Sequence, residues 1–220
     1  MTTVGMITIG QTPRDDLIPE FRELLGSDFR LVEAGALDGL SALEIAAMAP
    51  QSGEFPLITR LADGAEVVVA KERLVPRLQQ CLDGLAGQVD LAVVLCTGTF
   101  PPFRSERPVL EADRILFAAT RGVFSGGKLG VLLPLAEQAE GAAARWSEVS
   151  PSLAIESESP YQDEAGLSQI GERFRSAGAT LIVVDCMGFT RAKKELLRRA
   201  SGVPVLLASS LLARFIAEVA

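Results

Sequence analysis

Two cysteines in this chain stand in matching surroundings. The run Asp90-Leu-Ala-Val-Val-Leu95 leads into Cys96-Thr97-Gly98-Thr99, and Thr180-Leu-Ile-Val-Val-Asp185 leads into Cys186-Met187-Gly188-Phe189-Thr190. Each run is short, apolar and rich in β-branched residues, as in a buried parallel strand, and each is followed by a turn that carries glycine and a hydroxyl residue. A cysteine at the carboxyl end of such a strand lies where open α/β sheets bind ligands, beside backbone amides that favour negative charge on sulfur. A thiolate can take a proton from carbon and a neutral thiol can return one. Two such groups on opposite faces of one small molecule would invert a carbon centre without a cofactor. Either cysteine alone reads first as a small apolar residue ending a strand; the matched flanks reverse that and favour a functional pair.

The rest of the composition narrows the chemistry. There is no histidine among the 220 residues, which removes the commonest zinc ligand and any Ser-His or Cys-His machine. Three cysteines, Cys81, Cys96 and Cys186, are too few and too scattered for a disulfide framework, so no metal and no cofactor are expected. Cys81 falls on the apolar stripe Leu74, Leu78, Leu82 and Leu85 and reads as core. A net charge of -7 without a basic stripe argues against nucleic acid. No window approaches the roughly 20 apolar residues of a membrane span, and Met1 to Gly5 lacks the pattern of a signal peptide. A cytoplasmic protein that binds a small molecule is the expectation, with no membrane partner.

Strands and helices alternate along the chain, which predicts an α/β fold with mostly parallel sheets flanked by helices. Val4 to Ile9 reads as the first strand. Gly10-Gln11-Thr12-Pro13-Arg14 follows, with Pro13 placed for a first helical turn, Thr12 for its cap, and Asp15 and Asp16 against the positive end of the dipole. The same loop offers Gln11, Thr12 and Arg14 as donors for a carboxylate, Arg14 by a bidentate fork. A ligand loop and a plain helix start are both open readings. Phe29 to Glu33 is a strand, Leu40 to Met48 a short helix capped by Ser41, and Pro56 to Leu61 with Ala65 to Ala70 a hairpin about Asp63-Gly64. This hairpin reads as an insertion in the first lobe, lying on a sheet edge or over the mouth of the site. On the edge it would offer a surface for a homodimer.

Lys71 to Leu85 is an amphipathic helix, and Val109 to Arg121 includes another. Ser125-Gly126-Gly127 marks a boundary, after which Lys128 to Leu133 resembles the opening strand. Leu135 to Val149, Asp163 to Ala177 and Arg191 to Arg199 read as helices, the last capped by Thr190 or Phe189 with its basic residues solvated. Leu153 to Glu156 and Pro204 to Leu207 are strands, and Ser209 or Ser210 caps the final helix. Two passes of this grammar imply two lobes, residues 1–125 and 126–207. Asp185, beside Cys186, reads either as a proton-handling group or as a hydrogen-bond partner of a backbone turn.

Leu95-Cys96-Thr97-Gly98 and Val184-Asp185-Cys186-Met187-Gly188, with Ile7-Thr8-Ile9-Gly10-Gln11-Thr12-Pro13-Arg14-Asp15, resemble the AroM family over essentially the whole chain. The paired cysteine motifs resemble more broadly the aspartate/glutamate and hydantoin racemase superfamily. The resemblance implies two pseudo-symmetric α/β lobes with the site between them, and residues 208–220 returning as a C-terminal helix to the first lobe. It also implies a racemase or isomerase acting on a small carboxylate, with Cys96 and Cys186 exchanging the proton. Gln11, Thr12, Arg14, Thr97, Gly98, Thr99, Gly188 and Thr190 would hold the substrate. Superfamily amino-acid racemases carry an acidic residue after the first strand and a histidine after the second cysteine. This chain has Gly10-Gln11 and Gly188-Phe189 there, which implies another proton route, with Asp185 as a contributor. A one-cysteine lyase or decarboxylase and a non-catalytic sensor of small molecules are the alternative readings.

Overall fold

A computed structural model describes residues 1–162 and 164–220. The chain divides into two units, residues 1–113 with 212–220, and residues 114–211.

The first unit is built on a parallel sheet. Strand β1 (Thr2–Thr8) lies between β2 (Phe29–Gly35) and β5 (Leu91–Leu95), and β6 (Val109–Glu111) completes the order β2-β1-β5-β6. Val4, Met6, Ile7 and the whole of β5 are buried, as expected for a sheet covered on both faces. Helix α1 (Ile18–Leu25) follows β1, and α2 (Ala42–Ala46) follows β2. Ser41 caps α2 in a reciprocal capping box with Glu44. Helix α3 (Lys71–Leu85) presents buried Leu74, Leu78, Leu82 and Leu85 to a core that includes Ile7, Ile9, Ala92, Val94 and Cys96. The expected hairpin is present as antiparallel β3 (Pro56–Arg60) and β4 (Glu66–Ala70) in a sheet of its own.

The second unit repeats the plan. Its sheet, in the order β8-β7-β9-β10, comprises β7 (Lys128–Leu133), β8 (Leu153–Ser157), β9 (Ala179–Val184) and β10 (Val205–Leu207), all parallel. In both sheets the chain enters at a central strand, steps outward to its neighbour, then crosses back to place the cysteine strand on the other side. Helices α4 (Ala112–Val123), α5 (Ala139–Trp146), α6 (Ala165–Ser176), α7 (Arg191–Ser201) and α8 (Ala208–Val219) make up the remaining regular structure, with a 3₁₀ turn at Ala136–Gln138. The start expected for α6 at Asp163 lies outside the described residues.

The repetition reaches single residues. Gly5 in β1 pairs with Ala92, four places before Cys96, and Gly130 in β7 pairs with Ile182, four places before Cys186. A Cβ on Gly5 would lie 2.9 Å from Leu85 Cδ1, and one on Gly130 would lie 2.9 Å from Phe174 Cδ1. In each unit, therefore, the helix that precedes the cysteine strand seats a large side chain on a glycine of the central strand. This brings helix and sheet together beneath the cysteine.

Several element boundaries differ from expectation, three of them for a reason the contacts show. Helix α1 begins after Leu17 rather than at Thr12, and its N-terminal proline is Pro19, because Thr12 and Arg14 are engaged elsewhere. The stretch from Val109 opens with β6 before the helix. Helix α8 starts at Ala208, and the hydroxyls of Ser209 and Ser210 donate to the carbonyls of Phe189 and Leu207 instead of capping amides.

Candidate functional site

Each cysteine sits one residue or two beyond a central strand, where the strand order of its sheet reverses. Loops from the ends of β1 and β5 leave side by side in the first unit, and those from β7 and β9 do so in the second. Open α/β sheets bind ligands in that crevice. Cys96 continues the inward row Ala92, Val94; Cys186 continues the row Ile182, Val184. Their relative exposures are nearly equal, at 8% and 9%.

The turns after them are alike. The Gly98 amide donates to Cys96 Sγ at 3.3 Å, and the Gly188 amide donates to Cys186 Sγ at 3.4 Å. An N–H aimed at sulfur favours the charged form of a thiol over the neutral one. A side chain on either glycine would press on a neighbour, more severely at Gly188 than at Gly98. A Cβ on Gly98 would lie 3.2 Å from Leu57 Cδ2, and one on Gly188 would lie 2.8 Å from Pro160 Cγ and 3.2 Å from the Tyr161 hydroxyl. Thr97 is half-buried and Thr99 exposed, and among the described residues neither hydroxyl has a hydrogen-bond partner. Thr190 caps α7, accepting from the Lys193 amide at 3.3 Å.

The loop after β1 is held by protein groups. Gln11 donates from Nε2 to Leu37 O at 3.3 Å and accepts at Oε1 from the Ala62 amide at 3.1 Å, tying the loop to the turn of the hairpin. The Thr12 amide and hydroxyl donate to the two oxygens of Asp38, each at 2.8 Å. Arg14 is buried; its guanidinium grips Asp16 through Nε and Nη2 at 2.8 and 2.7 Å and also donates to Thr8 Oγ1. Burial pushes the Asp16 carboxyl up, but hydrogen bonds and charge from Arg14 outweigh it and leave the group below the usual carboxylate range. Residues Gln11, Thr12 and Arg14 thus fix the shape of the loop beside Cys96.

Asp185 points away from its neighbour. Successive side chains at a strand end alternate between faces, so Cys186 joins the core under α6 and α7 while Asp185 meets α5. Its carboxylate accepts from Trp146 Nε1 at 2.8 Å and from Arg145 Nη1 at 3.4 Å. Arg145 in turn lies over the rings of Trp146 and Phe117, at 4.8 and 5.2 Å. Cys81 has the character of core: burial, reinforced by the charge of Asp38, pushes its thiol up to about 11.

Four residues with a part in this arrangement carry no signal in the sequence. Leu57 and Thr59, on one face of β3, reach the two switch-point loops: Leu57 lies on Gly98, and Thr59 Oγ1 would be 2.4 Å from a Cβ on Gly10. Tyr161 stands against Gly188, and Lys193 Nζ donates to the carbonyls on either side of it, Pro160 O at 2.6 Å and Gln162 O at 2.8 Å. Only the Gly in Gly98 and Gly188 hints that something else occupies the missing side chain's place.

Among the described residues no cluster of acidic, cysteine or histidine side chains could hold a metal ion, and no helix is long and apolar enough to cross a membrane. The architecture is that of two-lobed racemase-like proteins. Maleate isomerase Iso from Pseudomonas putida S16 matches with a TM-score of 0.63 at 13% identity, over 98% of this chain and 91% of that one. Allantoin racemase from Pseudomonas fluorescens matches at 0.62 and 14%, over 98% and 89%. Arylmalonate decarboxylase matches at 0.61 and 17%, over 98% and 90%. At such identities the likeness is one of fold. No curated protein sequence matches the chain. The family model described as AroM protein matches residues 4–220, and with nearly the whole chain inside that match, the protein belongs to the AroM family.

Proposed function

We propose that the protein is a racemase- or isomerase-type enzyme that moves a proton on a small carboxylate, with Cys96 and Cys186 as the two proton-exchanging groups. The observation that carries this is the equivalence of the two thiols. Each ends the inward row of a central strand, at the reversal of strand order, with the amide two residues on directed at its sulfur.

In the proposed step, one sulfur is a thiolate and removes the proton on the carbon next to the carboxylate. The electron pair left on carbon is delocalised into the carboxylate, and the other sulfur, a neutral thiol, delivers its proton to the opposite face. The first thiol is then protonated and the second ionised, so atoms and charge balance without a cofactor. One ionised and one neutral thiol is the poise the step requires, and the two titrate as a pair. Thr97 and Thr99 hydroxyls and the turn amides are the groups this reading gives to the carboxylate on the Cys96 side. Gly188 and Thr190 shape the turn on the other side, while Gln11, Thr12 and Arg14 keep the loop after β1 in place. Asp185 acts through Trp146 and the end of β9, as a positioning residue.

The test is solvent exchange. In D2O, a panel of chiral 2-amino, 2-hydroxy and 2-aryl carboxylates is followed by NMR for loss of the signal of the hydrogen on carbon 2. Exchange in the wild type that is abolished by Cys96→Ser and by Cys186→Ser, with folding intact, is the expected result. Undiminished exchange in both variants would sink the reading.

A one-cysteine lyase or decarboxylase is favoured by one difference between the turns. Cys96 is followed by threonines, whereas Met187 and Phe189 beside Cys186 are buried and apolar. Only one serine variant would then lose activity.

A further inference from the structure

The turn after Cys96 has little of its own to hold it. Thr97 is half-buried and Thr99 exposed, and among the described residues the Gly98 amide on Cys96 Sγ is the one hydrogen bond that residues 97–99 make. Glycine is the residue least able to keep one backbone conformation unaided. What stands over it is Leu57: its Cδ2 and Cδ1 lie 3.2 and 3.4 Å from where a Cβ on Gly98 would be, and Cys96 Sγ lies 3.4 Å from the same point. Leucine methyls, glycine and sulfur thus close on one another. The turn after Cys186 supplies its own anchors, since Met187 and Phe189 are buried on either side of Gly188 and Phe189 O accepts from the Ser209 hydroxyl.

Leu57 is itself fixed. It is buried, pairs across the hairpin with Val69, and shares a core with Cys96. At one end of the hairpin the Lys71 amide donates to Phe55 O at 2.9 Å; at the other the Gln11 amide donates to Arg60 O at 3.2 Å. The hairpin therefore bears on the Cys96 turn from a braced position.

We infer that Leu57 is a positioning residue for Cys96: by pressing on Gly98 it keeps the Gly98 N–H on the sulfur, where that donor favours the thiolate. Its meaning for catalysis rests on the two-thiol reading above, to which it adds that the inserted hairpin has a part in activating Cys96.

Ionisation of the single thiol tests this without a substrate. In a Cys81→Ser/Cys186→Ser protein only Cys96 remains, and its far-ultraviolet thiolate absorbance, followed against pH, gives a midpoint. Leu57→Ala changes no charge, and a hydrogen bond to a charged group corresponds to about tenfold in the thiolate equilibrium, so the midpoint should rise by about one pH unit. Leu57→Met, which fills the same space, should keep the midpoint of the parent protein. Should Leu57→Ala not fold, Leu57→Val is read in its place, with a smaller rise. General loosening of the first unit would instead speed iodoacetamide modification of Cys81, which in Leu57→Ala with all three cysteines should stay as slow as in the wild type. A Cys96 midpoint that does not move, or that moves together with faster Cys81 modification, overturns the role of Leu57 and leaves the two-thiol reading standing. A parent protein whose Cys96 midpoint is no lower than in urea overturns the two together.

Discussion

The carboxylate of Asp185 accepts a hydrogen bond from the indole nitrogen of Trp146 at 2.8 Å, on the face of β9 opposite to the neighbouring thiol. The indole is fully buried, so its N–H has no other outlet. Asp185→Ala should cost about 1–3 kcal/mol for the stranded donor, whereas Asp185→Asn, whose amide oxygen can still accept, should cost less. Since Trp146 is the only tryptophan, its fluorescence in urea titrations reports both. Equal stability of the alanine variant and the wild type would refute the positioning role.

Arg14 and Asp16 form a bidentate pair with side-chain exposures of 4% and 14%. Removing one partner from a buried pair leaves an uncompensated charge, so Asp16→Asn should destabilise by about 3–5 kcal/mol at neutral pH. The Asp16 carboxyl is lowered in the folded state. Its contribution is therefore complete above the unfolded value, near pH 4, and is lost as pH falls through the lowered one. Denaturation curves from pH 7 down to pH 3 should show the gap between wild type and variant closing only at the acid end.

Gly10 is pinned beneath the hairpin. A Cβ there would be 2.3 Å from Arg60 O and 2.4 Å from Thr59 Oγ1, and a backbone oxygen cannot swing aside as a side chain can. Gly10→Ala should lower stability by about 1–3 kcal/mol and speed amide hydrogen exchange in β3 and β4. Unaltered exchange in the hairpin would count against this contact.

Thr59 Oγ1 is buried and, among the described residues, has no hydrogen-bond partner. Thr59→Val keeps the shape and removes the desolvation cost, so it should raise stability by about 1 kcal/mol. A loss of that size, seen in thermal melts, would mean that the hydroxyl is in fact satisfied.

Cys81 gives an internal control for thiol chemistry. With its thiol raised to about 11, little thiolate exists at pH 8, and iodoacetamide should modify it about two orders of magnitude more slowly than in the unfolded chain. Mass spectrometry of native and urea-treated samples measures this directly.

The cysteine strands are legible in the sequence because full burial on both faces demands uninterrupted apolar runs, and Cys96 and Cys186 end two of them. The hairpin is legible from Asp63-Gly64, and α3 from its leucine spacing. The loop after β1 is not. Thr12, Pro13, Asp15 and Asp16 have the local chemistry of a helix start, but the partner that captures Thr12 is Asp38, 26 residues on, and nothing local announces it. The same holds for Leu57 against Gly98 and Tyr161 against Gly188: these are meetings of distant segments, made by the crossover of the chain rather than by spacing.

One ammonium group grasps both carbonyls that bracket Tyr161, and its stem rises from the helix that Thr190 begins. Loop and helix are thereby tied to each other. A chemical change as slight as acetylation of Lys193 would take away the latch without touching either thiol. The lysine is in that sense a handle by which an experimenter could loosen this loop from its helix while both sulfurs stay untouched.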